Sequence, residues 1–559
     1  VKLALGPHEG AVRSVLDALT ADRAVERIFA RDATFWDGDD DRRRSVANRL
    51  GWLDVASTMR AHLDELRQFA ERARADGFAD VVLLGMGGSS LAPEVLRRSF
   101  GSRAGWPRLH VLDTTDPATI AAAAGAIDPA RTLAFVSSKS GTTLEPNCLY
   151  AYFDDFVRQA RGESAGDSFV AVTDPGTQLE KLARESRFRH VFTNPPDIGG
   201  RYSALSYFGL APAAVAGVDI AQLIDRGIAE ADAARSGGDA LRLGAALGAL
   251  ALAGRNKATF VVAPAVESFG LWVEQLIAES TGKLGRGIVP VAGEPLGGVE
   301  HYGDDRVFVQ LRVTGSTPRE HDALIESVCA TGRPAIVIDL ADAADLGREF
   351  VRWEFAVAVA GQVLGINPFD EPNVQESKDN TNRVLSEFEA SGALDVPSID
   401  DASAAVVLDA PGHVTDRPLA EALGEMMAKL GAGDYFAITA YVPATESAEA
   451  AFAEMRAAVR DSTGATTTLG YGPRFLHSTG QLHKGGPPQG IFLQVTMADE
   501  PDLSIPGRGY TFGQLKRAQA IGDFESLAKH GRPALRVHLG RKVDDGLAAL
   551  RRAVVGGRK

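Results

Sequence analysis

At 559 residues the chain is longer than one hydrophobic core ordinarily organises, and its length suggests about three or four units of ordinary domain size. A hydrophobic share of 45% against 24% charged residues is that of a folded globular protein, and a net charge of −14 repels nucleic acid and anionic membrane surfaces in bulk. An anionic small molecule stays open as a substrate, because a phosphate answers only to the few donors within its reach.

The opening segment, residues 1 to about 78, mixes Arg, Asp and Ala with helically spaced apolar residues and predicts helices. Short apolar runs follow, each trailed by a helical stretch, at Asp80–Leu84, Leu109–Leu112, Leu133–Val136 and Phe169–Val172. Compact apolar strands alternating with amphipathic helices predict a parallel sheet covered on both faces. A long helical region spans about 218 to 256, and a second alternating set begins at Thr259–Val262 and continues through Val307–Val309 and Ala335–Ile338. A helix after Phe350 runs to Gly365, where Ile366-Asn367-Pro368 breaks it. A Ser-, Asp- and Pro-rich linker lies near 390 to 403, and strands are expected at 405–409, 434–442, 490–496 and 534–538. The expected architecture is α/β: two tandem doubly wound parallel-sheet domains and a smaller C-terminal α/β domain. The expected boundaries are 1–235, 236–395 and 396–559.

Cys148 and Cys329 are the only cysteines and supply neither a disulfide framework nor zinc spacing, which suits a reducing cytoplasm. No apolar run is long enough to cross a bilayer, and the N-terminus lacks a signal-peptide pattern.

The first chemical cue is Gly85-Met86-Gly87-Gly88-Ser89-Ser90, after a strand and before a helix over Leu91–Phe100. Glycines let the backbone turn tightly there, and a helix N-terminus offers free N–H groups to an anion. A dinucleotide-binding loop wants a third glycine where Ser90 stands, and a plain strand-to-helix turn would use the same glycines. The second cue, Ser137-Ser138-Lys139-Ser140-Gly141-Thr142-Thr143, also leaves the end of an apolar strand. Hydroxyls, N–H groups and one ammonium at that place suit a phosphate, the alternative being a solvated Ser/Thr turn.

These two segments resemble the sugar isomerase fold, and further motifs resemble glucose-6-phosphate isomerases in particular. They are Gly199-Gly200-Arg201-Tyr202-Ser203, Gln275–Lys283 around Glu279, Gly293-Glu294-Pro295 before His301, and Asn367-Pro368-Phe369-Asp370 before Lys378. The resemblance implies an aldose–ketose isomerase acting on glucose 6-phosphate and fructose 6-phosphate, with no metal or redox cofactor. It implies Glu279 as the base of an enediol mechanism and Arg201 as the cation stabilising developing charge. His301 and Lys378 would open the ring, with the histidine reaching in from a neighbouring subunit of a homodimer. Residues around His301 depart from the family pattern. Ser89, Ser138, Lys139, Ser140 and Thr143 are implied phosphate binders. Gly88, Gly200 and Glu371 are implied sugar contacts, and Glu371 stands where the family usually has Gln. A cytoplasmic enzyme of glycolysis and gluconeogenesis is expected, with no nucleic-acid or membrane partner. A dual-specificity phosphoglucose/phosphomannose isomerase is an alternative, as is a non-catalytic sugar-phosphate-binding regulator, although such a regulator would have little use for Glu279, Arg201 and Lys378 together. A dinucleotide-dependent oxidoreductase is disfavoured by Ser90.

The resemblance fades after about residue 395, beyond which Arg474–Gly486 gathers two His, a Lys, an Arg and three Gly. That run is similar to the end of the isomerase portion in bacterial transaldolase/glucose-6-phosphate isomerase fusions, with no transaldolase half in this sequence. His477, His483 or Lys484 is expected to approach the sugar pocket and share in ring opening, a structural loop being the alternative.

Overall fold

The protein is described by a computed structural model over residues 1–36, 38–394, 401, 404–410 and 413–556. Most of the expected linker at 390–403 lies outside the described residues. In chain order the strands are β1 (Lys2–Ala4), β2 (Asp80–Leu84), β3 (Arg108–Leu112), β4 (Thr132–Ser137), β5 (Phe169–Thr173), β6 (His190–Thr193), β7 (Lys257–Val262) and β8 (Val289–Val291). They continue as β9 (Arg306–Val313), β10 (Ala335–Leu340), β11 (Ala405–Ala410), β12 (His413–Val414), β13 (Tyr435–Tyr441), β14 (Thr466–Tyr471), β15 (Gly490–Met497) and β16 (Ala534–Leu539).

They form three sheets, ordered β3-β2-β4-β5-β6, β1-β10-β9-β7-β8 and β12-β11-β16-β15-β13-β14. The first is wholly parallel. In the second, β1 adds antiparallel to β10, so the chain's first residues edge the second sheet. In the third, β13 to β16 run parallel, and β11 and β12 close the edge antiparallel. Each sheet has the same parallel core: its first strand is flanked by its second and third, and its fourth lies beyond the third. The order therefore reverses beside the first strand, and such a reversal opens a crevice at the carboxyl ends of the strands.

Central strands are apolar on both faces because helices cover both, as in the fully buried Val81-Val82-Leu83-Leu84 of β2. The long helical region divides at Arg235–Gly237 into Ile220–Ala234 and Gly238–Leu252. The helix ending at Leu364 starts at Leu346, a turn ahead of Phe350. Strands β1, β6, β8, β12 and β14 go beyond the expected set: several are very short, and β14 is built from Thr, Leu, Gly and Tyr.

The third unit packs on both others. Its helix Phe512–Lys529 shares a core with Cys148, Leu149 and Phe153 of helix Leu144–Arg161. Tyr435, Phe492 and Leu482 meet Ala278, Val289 and Val291 of the second unit. Side chains after β3 tie it further: Asp113 to Arg474, Thr115 to Gln519 and Asp116 to Lys516. No helix among the described residues is long and apolar enough to cross a membrane.

Candidate active site

The crevice of the first sheet opens where β2 and β4 lie side by side, and both glycine- and hydroxyl-bearing segments leave from their carboxyl ends. After β2, Gly87–Ser89 makes one tight turn and helix Leu91–Phe100 begins. A Cβ added at Gly88 would fall 2.1 Å from the carbonyl oxygen of Gly200, so these two backbones meet only because position 88 carries no side chain. Ser203 ties the same junction, its Oγ donating to Gly200 O at 2.6 Å and to Gly88 O at 3.3 Å.

After β4, Ser138 Oγ and Thr143 Oγ1 are 2.9 Å apart, and Gly141 N donates to Ser138 Oγ at 3.2 Å. Ser140 Oγ and Thr142 Oγ1 pair at 3.0 Å. Lys139 Nζ is ion-paired with Asp174 and donates to Pro196 O at 2.9 Å, so part of its charge is already answered by the protein. Burial holds the Asp174 carboxyl above its ordinary pKa despite that ammonium.

Arg201 is the hub. Its Nε donates to Ser280 Oγ at 2.8 Å, and Nη2 to the carbonyls of Pro368 at 2.8 Å and Asp370 at 3.0 Å. Nη1 lies 3.0 Å from Glu371 Oε2 and 3.3 Å from Glu279 Oε1. Burial by itself would lower the guanidinium pKa, but Glu279 and Glu371 more than reverse this, so Arg201 is a permanent cation. Helix Phe269–Thr281 positions Glu279, and Gln275 one turn earlier donates from Nε2 to Glu279 Oε2 at 3.0 Å. Burial, with the like charge of Glu371, raises the Glu279 pKa against the pull of Arg201. For Glu371, burial pushes upward too, yet Arg201 prevails and holds it below its ordinary value. Two carboxylates on one cation therefore diverge in proton affinity, the condition that separates a base from a spectator.

Gly88, Ser89, Lys139, Ser140, Thr143, Gly200, Arg201, Glu279, Glu371 and Lys378 all line one cavity of about 390 Å³, a size that suits a small ligand. Ser138 is buried behind that wall, its hydroxyl on Thr143. His301 is elsewhere. It ends the short turn Val299–His301, its ring half-buried and 3.4 Å from Glu300. The segment before it is clasped by the third unit: Arg456 donates to Gly293 O at 2.7 Å, Arg460 to Pro295 O, and Thr467 N to Glu294 Oε1 at 2.8 Å.

Of the C-terminal trio, only His477 reaches the cavity. His483 is buried, with Phe475 and Phe492 packed against its ring, and burial, with Lys484 and Arg532, drives its pKa down to about 3. Lys484 is buried against Asp523 at 2.9 Å and Ser377 at 2.8 Å, where it holds the fold. Sequence reasoning passed over Gln275, Arg49, Asp174 and Glu145. Gln275 could have been found from its spacing, since it stands four residues before Glu279 on one helix face. Glu145 gives no such signal. It sits in the first turn of helix Leu144–Arg161, where a carboxylate is ordinary. A second cavity of about 280 Å³ adjoins the first and shares Thr143, Val374, Lys378 and His477 with it.

Residues 18–284 match the family model described as Phosphoglucose isomerase. A glucose-6-phosphate isomerase of Rubrobacter xylanophilus is 32% identical over 388 residues, covering 59% of this chain and 87% of the relative. The chain belongs to the phosphoglucose isomerase family. As a member it is an aldose–ketose isomerase, and the motifs around Arg201 and Glu279 fall inside the matched region. A probable glucose-6-phosphate isomerase of Methanococcus maripaludis is 28% identical, over 61% of this chain and 86% of that one. Among solved structures, a hypothetical protein of Thermus thermophilus overlays with a TM-score of 0.58 at 24% identity, covering 70% of this chain and 100% of the other. A glucose-6-phosphate isomerase from Chlamydia trachomatis overlays with a TM-score of 0.52 at 20% identity, over 68% and 86% of the two chains. These two likenesses give the family member its fold: sugar isomerase units built on parallel sheets.

Proposed function

We propose that the protein interconverts glucose 6-phosphate and fructose 6-phosphate through an enediol, with Glu279 carrying hydrogen between C2 and C1. The observation that supports this most is a juxtaposition: a buried carboxylate and a buried guanidinium share one cavity with both hydroxyl-bearing loops at the first sheet's crevice. Glucose 6-phosphate is the sugar in the names of the relatives, and fructose 6-phosphate is the ketose to which its isomerisation leads.

The chemistry follows from the groups. The phosphate sits against Ser89, Ser140 and Thr143, with Lys139 adding charge and Ser138 holding Thr143 in place. Glu279 removes the C2 proton of the open aldose, and the electron pair moves through C1 to O1. The same carboxyl returns the proton to C1 as the C2 carbonyl forms, while O2 gives up its hydroxyl proton and O1 takes one up, so the hydroxyl passes from C2 to C1. Raised proton affinity suits a carboxylate to this work near neutral pH. Arg201, fixed by five partners, meets negative charge developing on O1 and O2 without rearranging. Lys378 stands on the cavity wall as a proton donor for the ring oxygen. A cytoplasmic homodimer of glycolysis and gluconeogenesis accompanies this reading through the family resemblance.

A coupled assay with fructose 6-phosphate tests the proposal. Glu279→Gln should lower kcat on the order of 10³-fold while sugar-phosphate binding persists. Near-normal turnover in that variant would remove Glu279 from the mechanism. Binding without turnover by the unmodified chain would make it a regulator, and equal turnover of mannose 6-phosphate would make it dual in specificity.

A further inference from the structure

Opening a hemiacetal ring requires an acceptor for the anomeric hydroxyl proton and a donor for the ring oxygen, both at the wall of the sugar cavity. Among the described residues one imidazole stands on that wall, His477, carried by the third unit between β14 and the helix Gly480–Gly485.

Three contacts fix it there. Its backbone oxygen accepts from Gln275 Nε2 at 2.8 Å, and that amide also donates to Glu279 at 3.0 Å. It packs onto Gly87, where an added Cβ would come within 2.7 Å of the His477 carbonyl oxygen and 3.1 Å of its Cβ. Its Nε2 meets Glu145 Oε1 at 2.9 Å, and Gln519 holds that same buried oxygen at 2.7 Å. Burial alone would raise the Glu145 pKa, but attraction to and hydrogen bonding with the His477 ring, together with a backbone N–H and Lys378, bring it below its ordinary value. An ionised carboxylate only accepts, so Nε2 carries the hydrogen, and in the neutral ring the lone pair is then left on Nδ1. Among the described residues Nδ1 makes no hydrogen bond, and the side chain keeps 14% of its surface exposed. Lys378 shares with it the wall between the two adjoining cavities, and no hydrogen bond or ion pair within the described residues engages the Lys378 ammonium.

We propose that His477, supplied by the third α/β unit of the same chain, opens and closes the sugar ring, so that one chain completes the site. The proposal rests on the isomerase reading above. His477 Nδ1 takes the proton of the anomeric hydroxyl, the bond between the anomeric carbon and the ring oxygen breaks, and its electron pair goes to that oxygen, which Lys378 protonates. After isomerisation the reverse transfers close the other ring and restore both groups. Glu145 is a positioning residue that fixes the tautomer.

Two measurements test it. In a Glu279→Gln chain, which cannot isomerise, protein-accelerated exchange between the α and β anomers of glucose 6-phosphate should survive, read by magnetisation transfer. Adding His477→Gln should reduce it on the order of 10²-fold or more with glucose 6-phosphate binding retained, whereas adding His301→Gln should leave it unchanged. Unchanged exchange after His477→Gln, a collapse after His301→Gln, or loss of binding along with exchange would each overturn the assignment. In the second measurement, Glu279→Gln and His477→Gln chains are co-expressed. They should stay inactive together, because no single chain holds both groups; recovered turnover would place the histidine in a partner and overturn the proposal. Absence of turnover in the unmodified chain would instead remove the isomerase reading itself.

Discussion

The first and third sheets repeat one strand order and put it to different use. At the crevice of the first, the segment after β2 is Gly85-Met86-Gly87-Gly88-Ser89-Ser90, open backbone and hydroxyls that can approach an anion. At the corresponding place in the third, Val442-Pro443-Ala444-Thr445 follows β13, and Ala498-Asp499-Glu500-Pro501-Asp502 follows β15. Proline removes a donor and the acidic side chains repel phosphate, so the same topology there makes no phosphate cradle. Asp499 instead joins Asp116 on the buried Lys516, which ties the third unit to the first. Fold order thus marks where a site can form, and the residues at the strand ends decide whether one does. The third unit contributes by lending a loop, Arg474–Gly486, to a cavity it does not itself own.

The severest loss is expected at the hub of that cavity. Arg201→Lys puts a point charge where a planar fork serves Ser280, Glu371, two carbonyls and Glu279. We expect kcat to fall on the order of 10²- to 10³-fold in the coupled assay. A loss under threefold would show that the guanidinium geometry is dispensable.

In the third unit the largest expected effect is on folding instead. Lys484 and Asp523 are both fully buried, and Lys484→Met would leave a carboxylate without its cation. Such a change costs about 3–5 kcal/mol, which should lower the urea midpoint clearly while the folded fraction keeps its kcat. A tenfold drop in kcat at unchanged stability would instead move Lys484 into the site.

Between these lies Arg474, which holds the lent loop to the first unit through two bonds of 2.7 Å to the Asp113 carboxylate. Arg474→Ala should cost about 2 kcal/mol and raise KM as the loop loosens over the cavity. An unaltered KM would mean the loop is held by its packing alone.

How much of this is legible in the residues depends on whether the cue is local. Glu279, Arg201 and Lys378 sit inside recognisable motifs on rigid elements, and the structure brings all three to one wall. The alternation of apolar runs and helices likewise announces parallel sheets. Glu145 is silent because its partner lies 332 positions away, and only the docking of the third unit brings them together. His483 and Lys484 have the side chains of a site and the surroundings of a core, a difference that chain spacing does not encode. Strand β14 is hard to see because Thr466, Thr467 and Thr468 lack the apolar run that marks its neighbours. The repeated strand order is likewise a property of pairing between distant segments and leaves no trace within any one of them.

The smallest expected effect concerns one proton. Glu279 must be ionised to act as a base, so kcat/KM falls as pH drops through its pKa. That pKa stands above the ordinary carboxylate value, first through burial and then through the negative charge of Glu371, against the pull of Arg201. Glu371→Gln removes the repulsion and also frees Nη1 of Arg201 for Glu279. Both changes favour the ionised base, so the acid limb of the profile should move to lower pH while its alkaline side stays in place. The third unit's crevice, where Asp499 and Asp116 share Lys516, has no part in that limb, and Asp499→Asn should leave it unmoved. An acid limb that ignored Glu371→Gln and followed Asp499→Asn would mean that the titrating group of catalysis lies outside the first sheet's crevice.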